Sequence, residues 1–300
     1  MNIDAAIDAF LNYIRTERRL SPKTVEAYST DLALFLAFAN DTLHVNEVEE
    51  VSHREVREWQ MSQMEAGLDP NTVKRRLVSM RMWFKYMRRE GWVEKDVMAR
   101  ISSPKVSKRL PVFFTEKEVS NIYDSSLYGD DFEGCRDRLL LCLLYETGMR
   151  RAELLALTDS SVDFVNGTIK VHGKRDKERI IPIENELLDN IKCYLALKEK
   201  REGCSEALLV RGNGSPLTNY DVSKVVKKYM TPLSHADRIS PHVFRHSFAT
   251  HLLNEGADIE AIKELLGHSD LSATEVYTHV SKEHLKNTYK HTHPRELKKK

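Results

Sequence analysis

At 300 residues the chain exceeds the usual size of one domain, and a hydrophobic fraction of 41% with only 12 Gly and 9 Pro excludes a disordered or fibrous protein. The four cysteines (Cys135, Cys142, Cys193, Cys204) form no Cys-x-x-Cys pair, no secretory signal opens the chain, and the longest apolar run, Leu139 to Tyr145, is too short for a bilayer, so a reducing cytoplasm is the expected setting and no membrane partner is expected. The net charge of +1 hides an uneven distribution: twelve basic and three acidic residues lie between Val73 and Arg109, a local +9 that leaves −8 for the remainder.

Helical signals fill the first hundred residues. Ser21-Pro22 reads as an N-cap followed by a first-turn proline, and Ser52 to Glu55 has capping-box spacing. Asp69-Pro70 opens a helix in which Val73, Leu77, Met80, Phe84 and Met87 recur at helical spacing as a buried stripe, and Gly91 ends it. Lys74, Arg81, Lys85 and Arg88 run beside that stripe, with Arg75 adjoining. Such a face either meets water or binds phosphates, and the uneven charge favours DNA. Residues 1–100 are expected to form a small helical, DNA-binding domain.

Residues 101–111 combine Ser, Pro and Lys without periodicity, as an exposed linker does. Residues 112–300 are expected to form the second domain. Thr115 to Glu118 opens it with a capping box, and Leu139 to Leu144 is apolar on every side, so that helix should cross the core. Thr168 to His172 and Arg179 to Ile183 read as the two strands of a hairpin. Helices follow from about Glu184 and from Asn219. Ser240-Pro241 starts another that runs to about Asn254, and the next has Ile259, Ile262 and Leu266 as its apolar face. The fold class expected is mainly α, in two domains, with a small β-hairpin.

Chemistry-bearing residues cluster in this second part. His242 and Arg245 stand three apart at the positive end of the Ser240-Pro241 helix, where free N–H groups, an imidazole and a guanidinium make an anion site. Taken alone, such a pair is more often a polar surface than a site. Arg150 follows Gly148 at the end of the core helix, and a guanidinium beside a dry core needs a carboxylate or phosphate partner; Glu153, three residues on, is one candidate. Tyr277 lies in a short segment with its own capping box, and only its neighbours separate it from a packing tyrosine.

Together these pieces resemble, in order and spacing, the tyrosine recombinase (phage integrase) family, and most of all its Xer-type members. The resemblance rests on Thr147-Gly148-Met149-Arg150-Arg151-Ala152-Glu153-Leu154, Gly173-Lys174, Pro241-His242-Val243-Phe244-Arg245-His246, Leu265-Leu266-Gly267-His268-Ser269 and Val276-Tyr277-Thr278-His279. It spans essentially the whole chain. It implies a two-domain DNA clamp, with a SAM-like core-binding domain and a mainly helical catalytic domain ending in a tail that docks on a neighbouring protomer. Carried over by position, Arg150, Lys174, His242, Arg245 and His268 surround a scissile phosphate, and Tyr277 is the nucleophile. Two departures occur. Arg175-Asp176 stands where Gly-Asn is usual, which makes Lys177 a rival to Lys174, and Phe244 replaces a leucine.

The chemistry asks for these residue types on its own account. Ionising a phenol of pKa about 10 costs roughly 4 kcal/mol at neutral pH, which neighbouring cations reduce. Two arginines can hold the nonbridging oxygens in fork geometry, and a lysine can protonate the departing 5′ oxygen. His242 can take the tyrosine proton and His268 can donate to the phosphate. No metal and no cofactor is expected. The expected partners are a double-stranded DNA site and further recombinase protomers, the same or different, in a tetrameric synapse, with a septal DNA translocase as a candidate activator. Chromosome dimer resolution is favoured over the larger phage integrases because no extra arm-binding domain is evident, while small transposon integrases look similar and stay an alternative. A type IB topoisomerase, a metal nuclease and a non-catalytic DNA-binding regulator are the more distant alternatives.

Overall fold

Helices of the first unit begin where a capping side chain meets a free backbone N–H. Ser21, Ser52 and Asp69 accept from Thr24, Arg54 and Asn71 and open α2 (Pro22–Phe38), α3 (His53–Glu65) and α4 (Pro70–Arg89); Asn2 does the same for α1 (Ile3–Thr16). The computed structural model describes residues 1–105, 112–173 and 178–267, and the chain divides into two units, Met1–Arg109 and Leu110–Lys300.

In the first unit the whole expected stripe of α4, Val73, Leu77, Met80, Phe84 and Met87, is buried, and Trp83 joins it. Trp83 packs against Phe35 and Phe84 and donates its Nε1–H to the Ala6 carbonyl at 3.3 Å, which ties α4 to α1 and α2. Asp31 of α2 is buried in this core. Its charge is satisfied by both Nη atoms of Arg75, at 2.6 and 2.7 Å, and by the Ser79 hydroxyl at 2.7 Å.

The second unit is built around α6 (Phe132–Thr147), whose residues from Leu139 to Thr147 are all buried. A helix without a polar side must be surrounded, and α8 (Asn185–Glu199), α9 (Asn219–Met230) and α10 (Pro241–Asn254) all pack on it. Short α7 (Arg151–Leu155) packs on it as well, α5 (Glu116–Ser120) opens the unit, and α11 (Ile259–Leu266) packs on α10.

Three antiparallel strands complete the unit in the order β1 (Val162–Asp163), β2 (Thr168–His172) and β3 (Glu178–Pro182). The hairpin thus carries a third strand, too short to show an alternation, and β3 begins one residue earlier than its pattern suggests. Ile169, Val171 and Ile181 enter the core from one face. The face expected for α11 needs one correction. Ile262 and Leu266 are buried, with Ala261 and Leu265, but Ile259 is 52% exposed. It stands in the first turn, where the side chain leans toward the N-terminus and past the packed neighbours.

Candidate active site

Gly148 closes α6 in the left-handed conformation, at φ 57°. A Cβ there would lie 2.4 Å from Phe248 Cδ1 and 2.9 Å from Leu266 Cδ2, so glycine permits both the turn and the close approach of α10 and α11. The turn delivers Arg150 to the N-cap of α7. Glu153, in the first turn of α7, reaches back to accept the Arg150 backbone N–H at 2.7 Å and its Nη1 at 2.8 Å.

Arg245 enters from the first half of α10 and is nearly buried. Its Nη1 donates to the Gly148 carbonyl at 2.8 Å and its Nη2 to that of Leu266 at 2.7 Å. Arg150 also reaches this end of α11, with Nη1 3.4 Å from the Leu266 carbonyl and Nη2 3.0 Å from that of Gly267. A third guanidinium, Arg179 of β3, donates Nε–H to the Leu265 carbonyl at 2.8 Å and both Nη atoms to Glu153, at 2.9 and 2.8 Å. The last carbonyls of a helix have no acceptor role within it and carry the negative end of its dipole, so three cations converge on them.

The electrostatics follow from that convergence. Burial alone would raise the Glu153 pKa, but hydrogen bonds from Arg179 and Arg150 hold it down at about 2. Burial, with Arg150 nearby, lowers Arg245 to about 10, so it remains charged at neutral pH. Three residues before it, His242 stands exposed on the same helix. Loss of part of its hydration, then the charges of Arg151, His246, Arg245 and Arg150, lower its pKa below the ordinary histidine value. It is therefore neutral at pH 7 and can accept a proton. Arg151 faces α9 instead and donates to Ser223 Oγ at 3.1 Å.

Of the residues singled out in the sequence, the structure brings Arg150 and Arg245 together on the Leu266 carbonyl and sets His242 beside them. Lys174, His268 and Tyr277 lie outside the described residues, as does Lys177. Arg179 was not anticipated. The available signal was its phase: Arg179 and Ile181 share the inward face of β3, so a charged side chain sits where a strand points into its core.

Each arginine keeps donors in reserve. Arg150 Nε–H and one Nη2 N–H, and Arg245 Nε–H with one N–H on each Nη, have no acceptor among the described residues. Such an edge suits the paired oxygens of a phosphate. Among the described residues no group of three or more His, Cys, Asp or Glu side chains gathers as metal ligands would, and no helix is long and apolar enough to cross a membrane.

The cationic face of α4 is divided. Lys74 and Lys85 are exposed and make no ion pair among the described residues. Arg81 is half-buried and donates to the Ile101 carbonyl at 3.0 Å and Ser103 Oγ at 3.3 Å. Arg88 pairs with Asp96 at 2.9 Å, and Arg75 is committed to Asp31. Arg75 therefore serves the core first and offers its charge to a ligand only in part.

Comparison with known proteins adds a family and a fold. The model of the phage integrase family matches residues 112–284, and that of the phage integrase N-terminal SAM-like domain matches residues 7–91. The tyrosine recombinase XerC of Bacillus subtilis (strain 168) is 36% identical over 303 residues, covering 99% of both chains. That of Pelotomaculum thermopropionicum is 37% identical over 300 residues, covering 96% of this chain and 98% of its own. Among solved structures, the XerH site-specific recombinase bound to palindromic difH substrate, a post-cleavage complex, superposes with a TM-score of 0.72 at 23% identity, over 95% of this chain and 84% of its own. The Tn1549 transposon integrase in complex with circular intermediate DNA gives a TM-score of 0.70 at 22% identity, over 96% and 98%.

Proposed function

This chain belongs to the phage integrase family of tyrosine recombinases, enzymes that cleave and rejoin DNA strands, and on that basis we propose that it exchanges strands of double-stranded DNA at a specific site through a covalent 3′-phosphotyrosyl bond to Tyr277, in the resolution of chromosome dimers. The observation that carries this reading is the pair Arg150 and Arg245, held side by side on one carbonyl with donors on each guanidinium that meet no acceptor among the described residues.

In the proposed reaction Tyr277 Oη attacks the scissile phosphorus, the bond from phosphorus to the 5′ oxygen breaks, and the tyrosine proton passes to a base. Arg150 and Arg245 hold the two nonbridging oxygens, on which charge accumulates. His242, neutral at pH 7, takes the tyrosine proton. Lys174 delivers a proton to the departing 5′ oxygen, and His268 donates to a nonbridging oxygen. The phosphotyrosyl ester conserves the energy of the phosphodiester, so a 5′ hydroxyl from a second duplex reverses the step without a nucleotide cofactor.

Exchange between two duplexes needs several protomers on two sites, a tetrameric synapse in this proposal, and the residues from Ser281 onward serve as the tail that reaches a neighbour. Lys74, Lys85 and Arg81 on α4 contact phosphates of the DNA.

Supercoiled circles with and without the cognate site test the reading. Adduct formation at one position, leaving a free 5′ hydroxyl and persisting in excess chelator, is the expected result. Relaxation of any circle without a preferred position would instead identify a topoisomerase, and activity abolished by EDTA and restored by a divalent metal would identify a nuclease.

A further inference from the structure

We propose that Arg179 is a positioning residue of the active site: it takes up the charge of Glu153 and so leaves Arg150 cationic toward the DNA phosphate. This rests on the function proposed above. The geometry gives Arg179 the larger share of the carboxylate. Its two Nη atoms each take one oxygen of Glu153, at 2.9 and 2.8 Å, whereas Arg150 contributes one side-chain hydrogen bond to Oε1 and its backbone N–H to Oε2. Glu153 is 4% exposed, so water does little to screen it. Two guanidiniums around one carboxylate leave a net positive charge; one guanidinium would leave none.

The setting of Arg179 fits a fixed counter-charge rather than a surface cation. Its side chain is 13% exposed, on the inward face of β3, two residues from buried Ile181 and opposite Val171 in the register. Its Nε–H is spent on the Leu265 carbonyl at 2.8 Å, and all its bonds point into the protein. Gly267 seats the end of α11 upon it. At φ 61°, a Cβ on Gly267 would lie 3.2 Å from Arg179 Nη1 and 3.3 Å from Cδ. Without Arg179, Glu153 would have Arg150 as its sole guanidinium among the described residues, and the phosphate would compete with a buried carboxylate for that cation.

A charge-balancing role and a purely mechanical latch between β3, α7 and α11 predict opposite outcomes in a double variant. Arg179→Gln should slow covalent adduct formation at saturating DNA by roughly 10²-fold, as the loss of one charge-stabilising group does, with little change in DNA affinity. Adding Glu153→Gln removes the unbalanced carboxylate, so the double variant should regain at least about tenfold over Arg179→Gln. A neutral methylphosphonate at the scissile position carries less charge for Arg150 to balance, so the gap between wild type and Arg179→Gln should shrink on that substrate. Arg179→Lys keeps the charge with poorer geometry and should lose less than about tenfold; it also serves if Arg179→Gln does not fold, as judged by thermal unfolding. A double variant no faster than Arg179→Gln, or an Arg179→Lys chain as slow as Arg179→Gln, overturns the proposal. Failure of the wild-type chain to form any adduct would overturn the proposed function instead.

Discussion

Arg150 and Arg245 donate to one acceptor, the carbonyl oxygen of Leu266, at 3.4 and 2.7 Å. Two like charges are thus held together by the negative end of α11 and by Glu153, with one edge of each guanidinium anchored and the other without an acceptor among the described residues. Lysine keeps the charge but cannot serve both edges. Arg150→Lys and Arg245→Lys should each slow adduct formation at saturating DNA by roughly 10²- to 10³-fold while binding the site nearly as well. Single-turnover cleavage within threefold of wild type would show that the fork geometry is dispensable.

On α4, Lys74 and Lys85 are exposed whereas Arg75 is bound to buried Asp31. Replacing Lys74, Arg81 and Lys85 by glutamine should weaken DNA binding regardless of sequence and flatten its salt dependence. Arg75→Gln should act differently, because it strips buried Asp31 of its bidentate partner and leaves it the Ser79 hydroxyl and the more distant Arg76 guanidinium, at 3.9 Å. The expected cost is stability, roughly 1–3 kcal/mol after discounting for the half-exposed guanidinium. Urea unfolding and salt titrations separate the two; an Arg75→Gln chain of full stability with a reduced salt slope would assign Arg75 to the DNA.

The choice between Lys174 and Lys177 as proton donor can be made chemically. Lys174 follows Gly173 directly after β2, as in the family pattern, and Lys177 lies three residues farther. Lys174→Ala should cleave ordinary DNA about 10²- to 10⁴-fold more slowly. Sulfur in place of the bridging 5′ oxygen leaves without a proton, so this substrate should rescue Lys174→Ala and leave Arg150→Ala slow. Rescue of Lys177→Ala in its place would move the role to Lys177.

Glu153 gives the chain a particular acid response. Its folded pKa of about 2 lies below that of a free glutamate near 4.3, so its contribution is complete above the unfolded value and is lost as pH falls through the folded one. A depression of about two units corresponds to roughly 3 kcal/mol. Between pH 5 and about 2, wild type should lose more stability than Glu153→Gln by that order. Parallel urea midpoints for the two chains over this range would refute it.

The sequence made the regular parts of this fold legible because burial there follows a period. The α4 stripe repeats every third or fourth residue, and Leu139 to Leu144 of α6 is apolar all round, so each was legible from the residues alone. Ile259 broke its pattern because helix ends project beyond the faces they belong to. Arg150 and Arg245 were legible as candidates, but their shared acceptor was not, since a backbone carbonyl has no letter in the sequence. For the same reason Asp31 and Arg75, 44 residues apart, could not be paired in advance. Arg179 could have been found as a charge in the inward phase of β3, had phase been read for polar residues as well as apolar ones.

The nucleophile proposed for this reaction, Tyr277, can be tested by one substitution. Tyr277→Phe removes a hydroxyl and no phosphate-binding group. On a nicked substrate that traps the cleaved strand, wild type should form a DNA adduct that survives denaturant, and Tyr277→Phe should bind the same site with near-wild-type affinity and form none. A denaturant-resistant adduct of the Tyr277→Phe chain would contradict the account.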